Sequence, residues 1–253
     1  MPEALQIRIH GDDSRPTLIY LPGLHGDWTL AGGFRKQLGN KVRFVEFIYP
    51  RTLTWSLDDY AAAIETALSQ NNITAGWLLG ESFGSQILWP LVQRRNISVQ
   101  GLILAGGFVR HPMPWGARFL KHCSGKLTLA LLTPLVKSYG MIGRRRFRHS
   151  PETRASLQEF VARRTPADFY AARHRLQLIA EYDPRAIAQN CQTPVFYLSG
   201  WLDPVVPWPA VQRWLRKHCP ALRGVNIIRP ADHNVLGTAP AQAASQVLSW
   251  MKS

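Results

Sequence analysis

The stretch GWLLGESFGSQILW, residues 76–89, decides how the chain is organised. It begins with an apolar run typical of a strand buried on both faces, and it continues with a pattern that suits an amphipathic helix. Between the two lies Gly80-Glu81-Ser82-Phe83-Gly84, which matches Gly-x-Ser-x-Gly. Two interpretations of Ser82 follow. It is a nucleophile raised above a sheet by a sharp strand-to-helix turn, or it is only a residue of a tight turn.

The two glycines have a steric explanation in the first interpretation. Side chains two residues before and after the serine would collide with the neighbouring backbone in so sharp a turn. The turn also points the backbone N–H of Phe83 and the start of the following helix toward an anion. We therefore expect the Phe83 N–H to serve as one donor of an oxyanion hole.

Residues 1–109 and 190–253 alternate strand-like runs with helix-like stretches. The strand-like runs are 5–10, 17–21, 42–47, 76–80, 101–107, 194–200 and 224–229, and the helix-like stretches lie near 30–39, 57–70, 83–95, 208–218 and 239–252. Such alternation is typical of a parallel sheet with right-handed crossovers. We predict an α/β fold with a mostly parallel central sheet flanked by helices.

Residues 110–189 lack this rhythm and are predicted to form a helical cap inserted into the α/β core. Residues 110–185 carry 15 Lys or Arg and 5 Asp or Glu, so +10 of the chain's net charge of +14 lies there. The basic cluster around 144–148 is the densest part. Three interpretations stay open: a solvated helical surface, recognition of an anionic substrate group, or peripheral attraction to an anionic membrane or other acidic surface.

Length and composition narrow the class of protein. At 253 residues the chain is long enough for one large domain, and no apolar run approaches the roughly 20 residues of a membrane span. The first residues lack the apolar core of a secretion signal, so we expect a cytoplasmic protein. Three widely spaced cysteines suggest neither a disulfide framework nor a zinc site. The basic residues are not interleaved with a nucleic-acid-binding motif, which argues against a nucleic-acid partner.

The chain resembles the α/β-hydrolase superfamily, in particular serine esterases with a helical cap. Besides the Gly-x-Ser-x-Gly pattern, YLPGLHGDW (residues 20–28) follows the second strand-like run. It places Pro22-Gly23-Leu24 where that family has a His-Gly-x oxyanion loop. The resemblance implies that the Leu24 N–H is the second oxyanion donor. Proline replaces the family's histidine, but a backbone donor is unaffected by that change.

The resemblance also implies a catalytic triad in the order serine, acid, histidine. Asp203 follows the run 194–200 and His233 follows the run 224–229, so Ser82, Asp203 and His233 each come after a strand. Ligands bind at this end of parallel strands. Asp232 is the competing acid, but adjacent side chains on an extended loop point apart, so we prefer Asp203. With these partners we interpret Ser82 as the nucleophile.

Other residues near these loops have less specific roles. Four aromatic side chains are predicted to line the substrate pocket, with a place in the core as the alternative: Trp28, Phe34, Phe108 and Trp201. We expect His25 and Asp27 to stabilise the oxyanion loop, with substrate contact as the alternative. Glu81 is expected to be a buried, hydrogen-bonded support for the turn.

These residues imply hydrolysis of a small-molecule carboxylic ester through an acyl-serine intermediate, without a metal or organic cofactor. Thioester hydrolysis, carbon–carbon bond hydrolysis, acyl transfer and amide hydrolysis use the same triad and stay open. The family's dehalogenases and epoxide hydrolases use an aspartate nucleophile, so Ser82 argues against both. The alternative of another class is a non-catalytic protein of this fold that binds an anionic ligand or surface. The sequence does not decide the oligomeric state.

Overall fold

The computed structural model describes residues 4–113, 158–160 and 162–252. In these ranges seven strands form one sheet in the order β1-β3-β2-β4-β5-β6-β7. The strands are β1 (Gln6–His10), β2 (Thr17–Leu21), β3 (Arg43–Ile48), β4 (Ala75–Glu81), β5 (Ser98–Ala105), β6 (Val195–Gly200) and β7 (Leu222–Ile228). Strand β1 is antiparallel to β3, and all other neighbours are parallel. The predicted α/β fold with a mostly parallel sheet is confirmed.

Helices connect the strands and cover both faces of the sheet. They are α1 (Gly32–Leu38), α2 (Leu57–Gln70), α3 (Gly84–Arg94), α4 (Pro166–Glu181), α5 (Arg185–Gln189), α6 (Trp208–His218), α7 (Val235–Thr238) and α8 (Pro240–Trp250). Helices α4 and α5 lie in the segment 110–189. Residues 114–157, with the basic cluster around 144–148, lie outside the described residues. The boundaries of the predicted cap therefore stay a prediction.

Helix α2 illustrates how the local sequence fixes an element. Ser56 accepts a hydrogen bond from the Asp59 N–H at 3.2 Å, and the Asp59 carboxylate accepts one from the Ser56 N–H at 2.8 Å. This reciprocal capping box satisfies two N–H groups that have no intrahelical acceptor. Tyr60, Ile64 and Leu68 then recur every four residues and are buried. One face of α2 is thereby fixed against the sheet.

The sheet separates two apolar layers, because successive strand residues point to opposite faces. Ile19 and Leu21 of β2 face the layer that includes residues of α2 and α3, whereas Leu18 and Tyr20 face the layer that includes residues of α1 and α8. The middle strands are therefore buried on both sides. This explains their continuous apolar runs in the sequence.

The register of the middle strands brings several loops to one edge of the sheet. Leu21 pairs with Gly80, Glu81 pairs with Ala105, and Ala105 pairs with Leu198. The loops that leave the carboxyl ends of β2, β4, β5 and β6 consequently begin side by side. Among the described helices, none combines the length and the apolar character needed to cross a bilayer.

Candidate active site

Ser82 occupies a strained turn between β4 and α3. Its φ is +49°, a left-handed conformation that costs a residue with a Cβ about 1–2 kcal/mol. Two backbone hydrogen bonds hold the turn: the Ser82 N–H donates to Ala105 O at 3.0 Å, and the Ser85 N–H donates to Ser82 O at 3.0 Å. The Ser85 hydroxyl also donates to Ser82 O at 2.6 Å. The backbone of Ser82 is therefore fixed from both the sheet and the helix.

The glycines of the turn leave room for close backbone approach. A Cβ built on Gly80 would lie 2.7 Å from the Cα of Ser85, and one on Gly84 would lie 2.1 Å from the Leu21 carbonyl oxygen. Both distances are far below van der Waals contact. The steric explanation that the sequence offered for these two glycines is confirmed.

A chain of hydrogen bonds joins the three residues predicted as a triad. His233 Nε2 lies 2.9 Å from Ser82 Oγ, and His233 Nδ1 lies 2.8 Å from Asp203 Oδ2. The Asp203 side chain is 0% exposed, and the His233 side chain is 19% exposed. The carboxylate of Asp232 instead accepts a hydrogen bond from the Asn234 N–H at 3.0 Å. Asp203 is thus the carboxylate that contacts the imidazole.

The Asp203 carboxylate is held by its own loop. Its Oδ1 accepts hydrogen bonds from the N–H groups of Val205 and Val206, both at 2.8 Å. The other oxygen, Oδ2, is left to face His233. This arrangement orients the carboxylate before any substrate binds.

Two further glycines let the histidine loop reach the sheet, and sequence reasoning did not identify them. A Cβ on Gly106, where φ is +54°, would lie 2.6 Å from the His233 carbonyl oxygen. A Cβ on Gly200 would lie 2.2 Å from the Asp232 carbonyl oxygen. The signal in the sequence was glycine at the end of both strand-like runs. The steric reason for glycine at these positions depends on the distant loop that packs against them.

The electrostatic surroundings of His233 favour its protonated form. Burial opposes the charged imidazolium, but the hydrogen bond and charge of Asp203, with the charges of Glu81 and Asp232, hold the pKa of His233 above its ordinary value of 6.5. The imidazole is therefore well suited to accept the proton of Ser82 and to return it.

The predicted oxyanion loop passes directly beside Ser82. A Cβ on Gly23 would lie 3.5 Å from Ser82 Cβ, and the Gly26 N–H donates to Gly23 O at 2.9 Å, which closes a turn. Leu24 follows Gly23 in this turn, and its N–H is not the donor that closes it. Phe83 precedes the first turn of α3, where N–H groups lack intrahelical acceptors. Both backbone groups predicted as oxyanion donors thus belong to segments that flank the serine.

Arg175 of α4 is a residue that sequence reasoning missed. It is 1% exposed, and its guanidinium donates to Leu24 O at 2.8 Å, to Pro50 O at 3.0 Å and to the Tyr60 hydroxyl at 3.2 Å. The available signal was its spacing of four residues from Ala171 and Ile179, which share the buried face of α4. Arg175 is one of 15 basic residues in 110–185, so composition alone does not set it apart from the others.

His25 and Asp27 contact the same insertion. The His25 ring packs edge-on against Phe160 with centroids 4.4 Å apart. Burial, with the nearby charge of Arg164, lowers the pKa of His25 to about 3, so this histidine is neutral. Asp27 accepts hydrogen bonds from the Thr29 N–H at 3.0 Å and from the Arg164 guanidinium. These contacts agree with the expectation that both residues stabilise the loop.

Glu81 lies beneath the nucleophile turn. It is buried, and its carboxylate accepts a hydrogen bond from the Tyr20 hydroxyl. Burial raises the pKa of Glu81, although the Tyr20 hydrogen bond and the charge of His233 oppose this effect. The expectation of a buried, hydrogen-bonded support is confirmed.

The aromatic residues predicted for a pocket lie in different surroundings. Trp28 is 5% exposed, in the core layer of α1, with the Arg8 guanidinium 3.9 Å above its ring. Phe34 and Phe108 are also buried, one in each apolar layer of the core. The predicted pocket role of these three residues gains no support from their burial. Trp201 is 52% exposed beside the Asp203 loop and keeps this role as a prediction.

A cavity of about 460 Å³ lies where residues 109–112 meet helices α5 and α6. It is lined by Val109, Arg110, His111, Pro112, Arg185, Ala210, Val211 and Trp214. Arg110 and Arg185 both pair with Asp183, at 2.7 Å and 2.6 Å, so two guanidinium groups share one carboxylate. The described residues contain no cluster of three or more His, Cys, Asp or Glu side chains that could hold a metal ion.

Comparison with known protein families gives one match. Residues 46–238 match the family model described as serine aminopeptidase, S33. This range includes Ser82, Asp203 and His233 and covers more than half of the chain. A search of curated protein sequences finds no significant match.

Solved structures of the same fold are similar over nearly the whole chain. A thermophilic esterase from Thermogutta terrifontis has a TM-score of 0.79 at 17% identity, covering 98% of this chain and 93% of its own. An esterase from Exiguobacterium antarcticum has a TM-score of 0.79 at 15% identity, with 98% and 96% covered. A hydrolase from Pseudomonas aeruginosa PA01 has a TM-score of 0.79 at 13% identity, with 98% and 94% covered. At these identities the likeness concerns the fold.

Proposed function

The chain belongs to the serine aminopeptidase S33 family of α/β-hydrolases, and from this we propose that it is a serine hydrolase cleaving small-molecule carboxylic esters. The observation that carries the proposal is the hydrogen-bonded chain from Ser82 Oγ through His233 to Asp203, with distances of 2.9 Å and 2.8 Å. A serine joined to an imidazole that a buried carboxylate orients is the arrangement that acyl transfer requires.

In this mechanism Ser82 Oγ attacks the ester carbonyl while His233 Nε2 accepts its proton. The imidazolium then gives that proton to the departing alcohol, which leaves an acyl-serine. A water molecule, deprotonated by His233, attacks the acyl group and releases the acid, and Ser82 regains its proton. Asp203 keeps the second imidazole proton on Nδ1 and stabilises the imidazolium through its negative charge.

The backbone N–H groups of Leu24 and Phe83 are proposed to stabilise the negative oxygen of each tetrahedral intermediate. Losing one such donor typically costs about 3 kcal/mol of transition-state stabilisation. The position of both segments beside Ser82 supports this assignment. Since the donors are main-chain groups, the assignment does not depend on the replacement of the family's histidine by Pro22.

Two of the similar structures are named as esterases, which makes ester hydrolysis the first reaction to test. The family description names an aminopeptidase, so an amide substrate is the principal competitor. Thioesters, carbon–carbon bonds and acyl transfer to another acceptor are further outcomes of a substrate screen. Fold similarity alone does not distinguish these chemistries.

An anionic group on the substrate is supported by the cavity between residues 109–112 and helices α5 and α6. Arg110 and Arg185 line it and together carry one more positive charge than their shared partner Asp183 neutralises. Trp214 and Val211 give the same cavity apolar walls. An acyl chain that ends in a carboxylate matches this combination, so Arg110→Gln with Arg185→Gln should raise KM for such esters and leave KM for neutral esters unchanged.

The test is active-site labelling together with a substrate screen. A fluorophosphonate probe should label the wild-type protein and the control Ser245→Ala, which changes an exposed serine of α8, but not Ser82→Ala. p-Nitrophenyl esters of graded length, acyl thioesters and aminoacyl anilides then identify the bond that is cleaved. A folded wild-type protein that neither labels nor hydrolyses any of them would favour the non-catalytic binding protein instead.

A further inference from the structure

The oxyanion loop is fastened by one segment of the basic insertion. Arg175 donates to the Leu24 carbonyl oxygen, the Arg164 guanidinium pairs with Asp27, and Phe160 packs against His25. All three contacting residues come from the range 158–175, and all three partners lie within four successive residues of the loop. Residues of the insertion therefore hold the loop that lies beside Ser82.

Arg175 is the most informative of these contacts because no carboxylate of the described residues forms an ion pair with its buried charge. Its hydrogen-bond partners in the described part of the chain are two carbonyl oxygens and a hydroxyl, and the Tyr49 ring lies 5.4 Å from its Cζ atom. Burying a cation among neutral groups is costly, so a surface role does not explain its position. Five N–H donors on a rigid plane suit a residue that holds several backbone segments at once.

The loop is shaped around this guanidinium. Gly26 has a φ of +79°, and a Cβ built on it would lie 2.5 Å from Arg175 Nη1. The Gly26 carbonyl oxygen accepts a hydrogen bond from the Tyr49 N–H at 2.8 Å. Tyr49 is next to Pro50, whose carbonyl oxygen accepts a hydrogen bond from the Arg175 guanidinium. Glycine is therefore favoured at 26 by the left-handed turn, and a side chain there would displace the Arg175 guanidinium.

We propose that Arg175 is a positioning residue that sets the orientation of Leu24, so that the Leu24 N–H points at the oxyanion formed at Ser82. This inference rests on the proposed serine hydrolase function. Residue 24 is held on one side by the Gly23–Gly26 turn and on the other by the guanidinium on its carbonyl oxygen. Fixing both sides fixes the direction of its N–H. An error of about 1 Å in such a group can lower a rate by about a hundredfold.

The experiment compares Arg175→Met and Arg175→Lys with the control Arg163→Met, which changes an exposed arginine paired with Glu159. Rates are expressed per active site titrated with a fluorophosphonate, so that a loss of folded protein does not count. We expect Arg175→Met to lower kcat by about a hundredfold with little change in KM, and Arg175→Lys to recover part of that loss. The control should match the wild type.

A transition-state analogue distinguishes an effect of Arg175 on the oxyanion hole from a general effect on the folded protein. A trifluoromethyl ketone forms a tetrahedral adduct on Ser82 and places an oxyanion in the hole. Its affinity should fall in Arg175→Met by the same factor as kcat, whereas the KM of the ester should stay constant. An unchanged kcat per titrated site, or a ketone affinity equal to that of the wild type, would overturn the proposal.

A milder variant covers the case in which Arg175→Met does not fold. Tyr60→Phe removes one acceptor of the guanidinium and keeps the ring, so kcat and ketone affinity should both fall by about threefold to tenfold. Equal values in Tyr60→Phe and wild type would count against Arg175. If the wild-type protein neither labels nor hydrolyses, both proposals fail. If it does both and the Arg175 variants match it, only the positioning role fails.

Discussion

The carboxylate of Asp203 meets the imidazole of His233 with Oδ2 at 2.8 Å from Nδ1, while its Oδ1 accepts two backbone N–H groups of its own loop. The two oxygens therefore have separate tasks. Oδ1 anchors the carboxylate in its loop, and Oδ2 faces Nδ1. In the proposed mechanism Oδ2 keeps a proton on Nδ1, which leaves Nε2 free to accept a proton from Ser82.

Asp203→Asn should reverse this arrangement. The amide oxygen would stay on the N–H groups of Val205 and Val206, so the NH₂ group would face His233 Nδ1 and favour the tautomer protonated on Nε2. We expect kcat to fall by on the order of 10³–10⁴-fold, with the fold unchanged. Steady-state kinetics and circular dichroism check this. Asp232→Asn is the matched control and should keep most activity, so the reverse ranking would identify Asp232 as the acid.

Activity should decline at acidic pH with a midpoint above 6.5. The base must be neutral to accept the proton of Ser82. Burial lowers the pKa of His233, but the hydrogen bond and charge of Asp203, with the charges of Glu81 and Asp232, together raise it above its ordinary value. A raised pKa means that the imidazole becomes protonated at higher pH. The value of kcat/KM should therefore reach its plateau above that pKa and decline as the pH falls through it. A profile of kcat/KM against pH measures the midpoint. A midpoint below 6.5 would contradict the electrostatic assignment.

Gly84→Ala should destabilise the protein, because its Cβ would lie 2.1 Å from a β2 carbonyl oxygen that cannot move easily. We expect the free energy of unfolding to fall by about 3 kcal/mol or more. Gly33→Ala, within helix α1, is the control. Its Cβ would lie 3.5 Å from the Pro240 side chain, which is an ordinary van der Waals distance. That variant should gain up to about 1 kcal/mol. Urea denaturation measures both, and equal stability of the two variants would refute the steric argument.

Ser82→Gly should be more stable than Ser82→Ala, although both abolish activity. Both variants lose the hydroxyl and its contact with His233, but only glycine adopts a φ of +49° without strain. The difference in the free energy of unfolding should be about 1 kcal/mol in favour of glycine. Thermal denaturation of the two variants gives the comparison. If Ser82→Ala were the more stable, the turn would not store strain at this residue.

Much of the fold could be predicted because its signals are local. Each of the seven strand-like runs overlaps an observed strand, and the predicted helix 208–218 coincides with α6. Strand ends were less certain: β5 ends at Ala105, two residues before the predicted end, because Gly106 leaves the extended conformation. The short helices α5 and α7 were not predicted, since four or five residues carry too little periodicity.

The sequence by itself determined the alternation of strands and helices and the glycine-flanked serine turn, since both follow from short-range spacing, whereas the order of serine, acid and histidine came from the resemblance to a family. Only the tertiary structure decided which carboxylate meets His233, why Gly106 and Gly200 carry no side chain, and that Arg175 is buried against Leu24. These last features join residues about 30 to 150 positions apart. Contacts between such distant residues depend on how the loops pack, which local patterns do not encode.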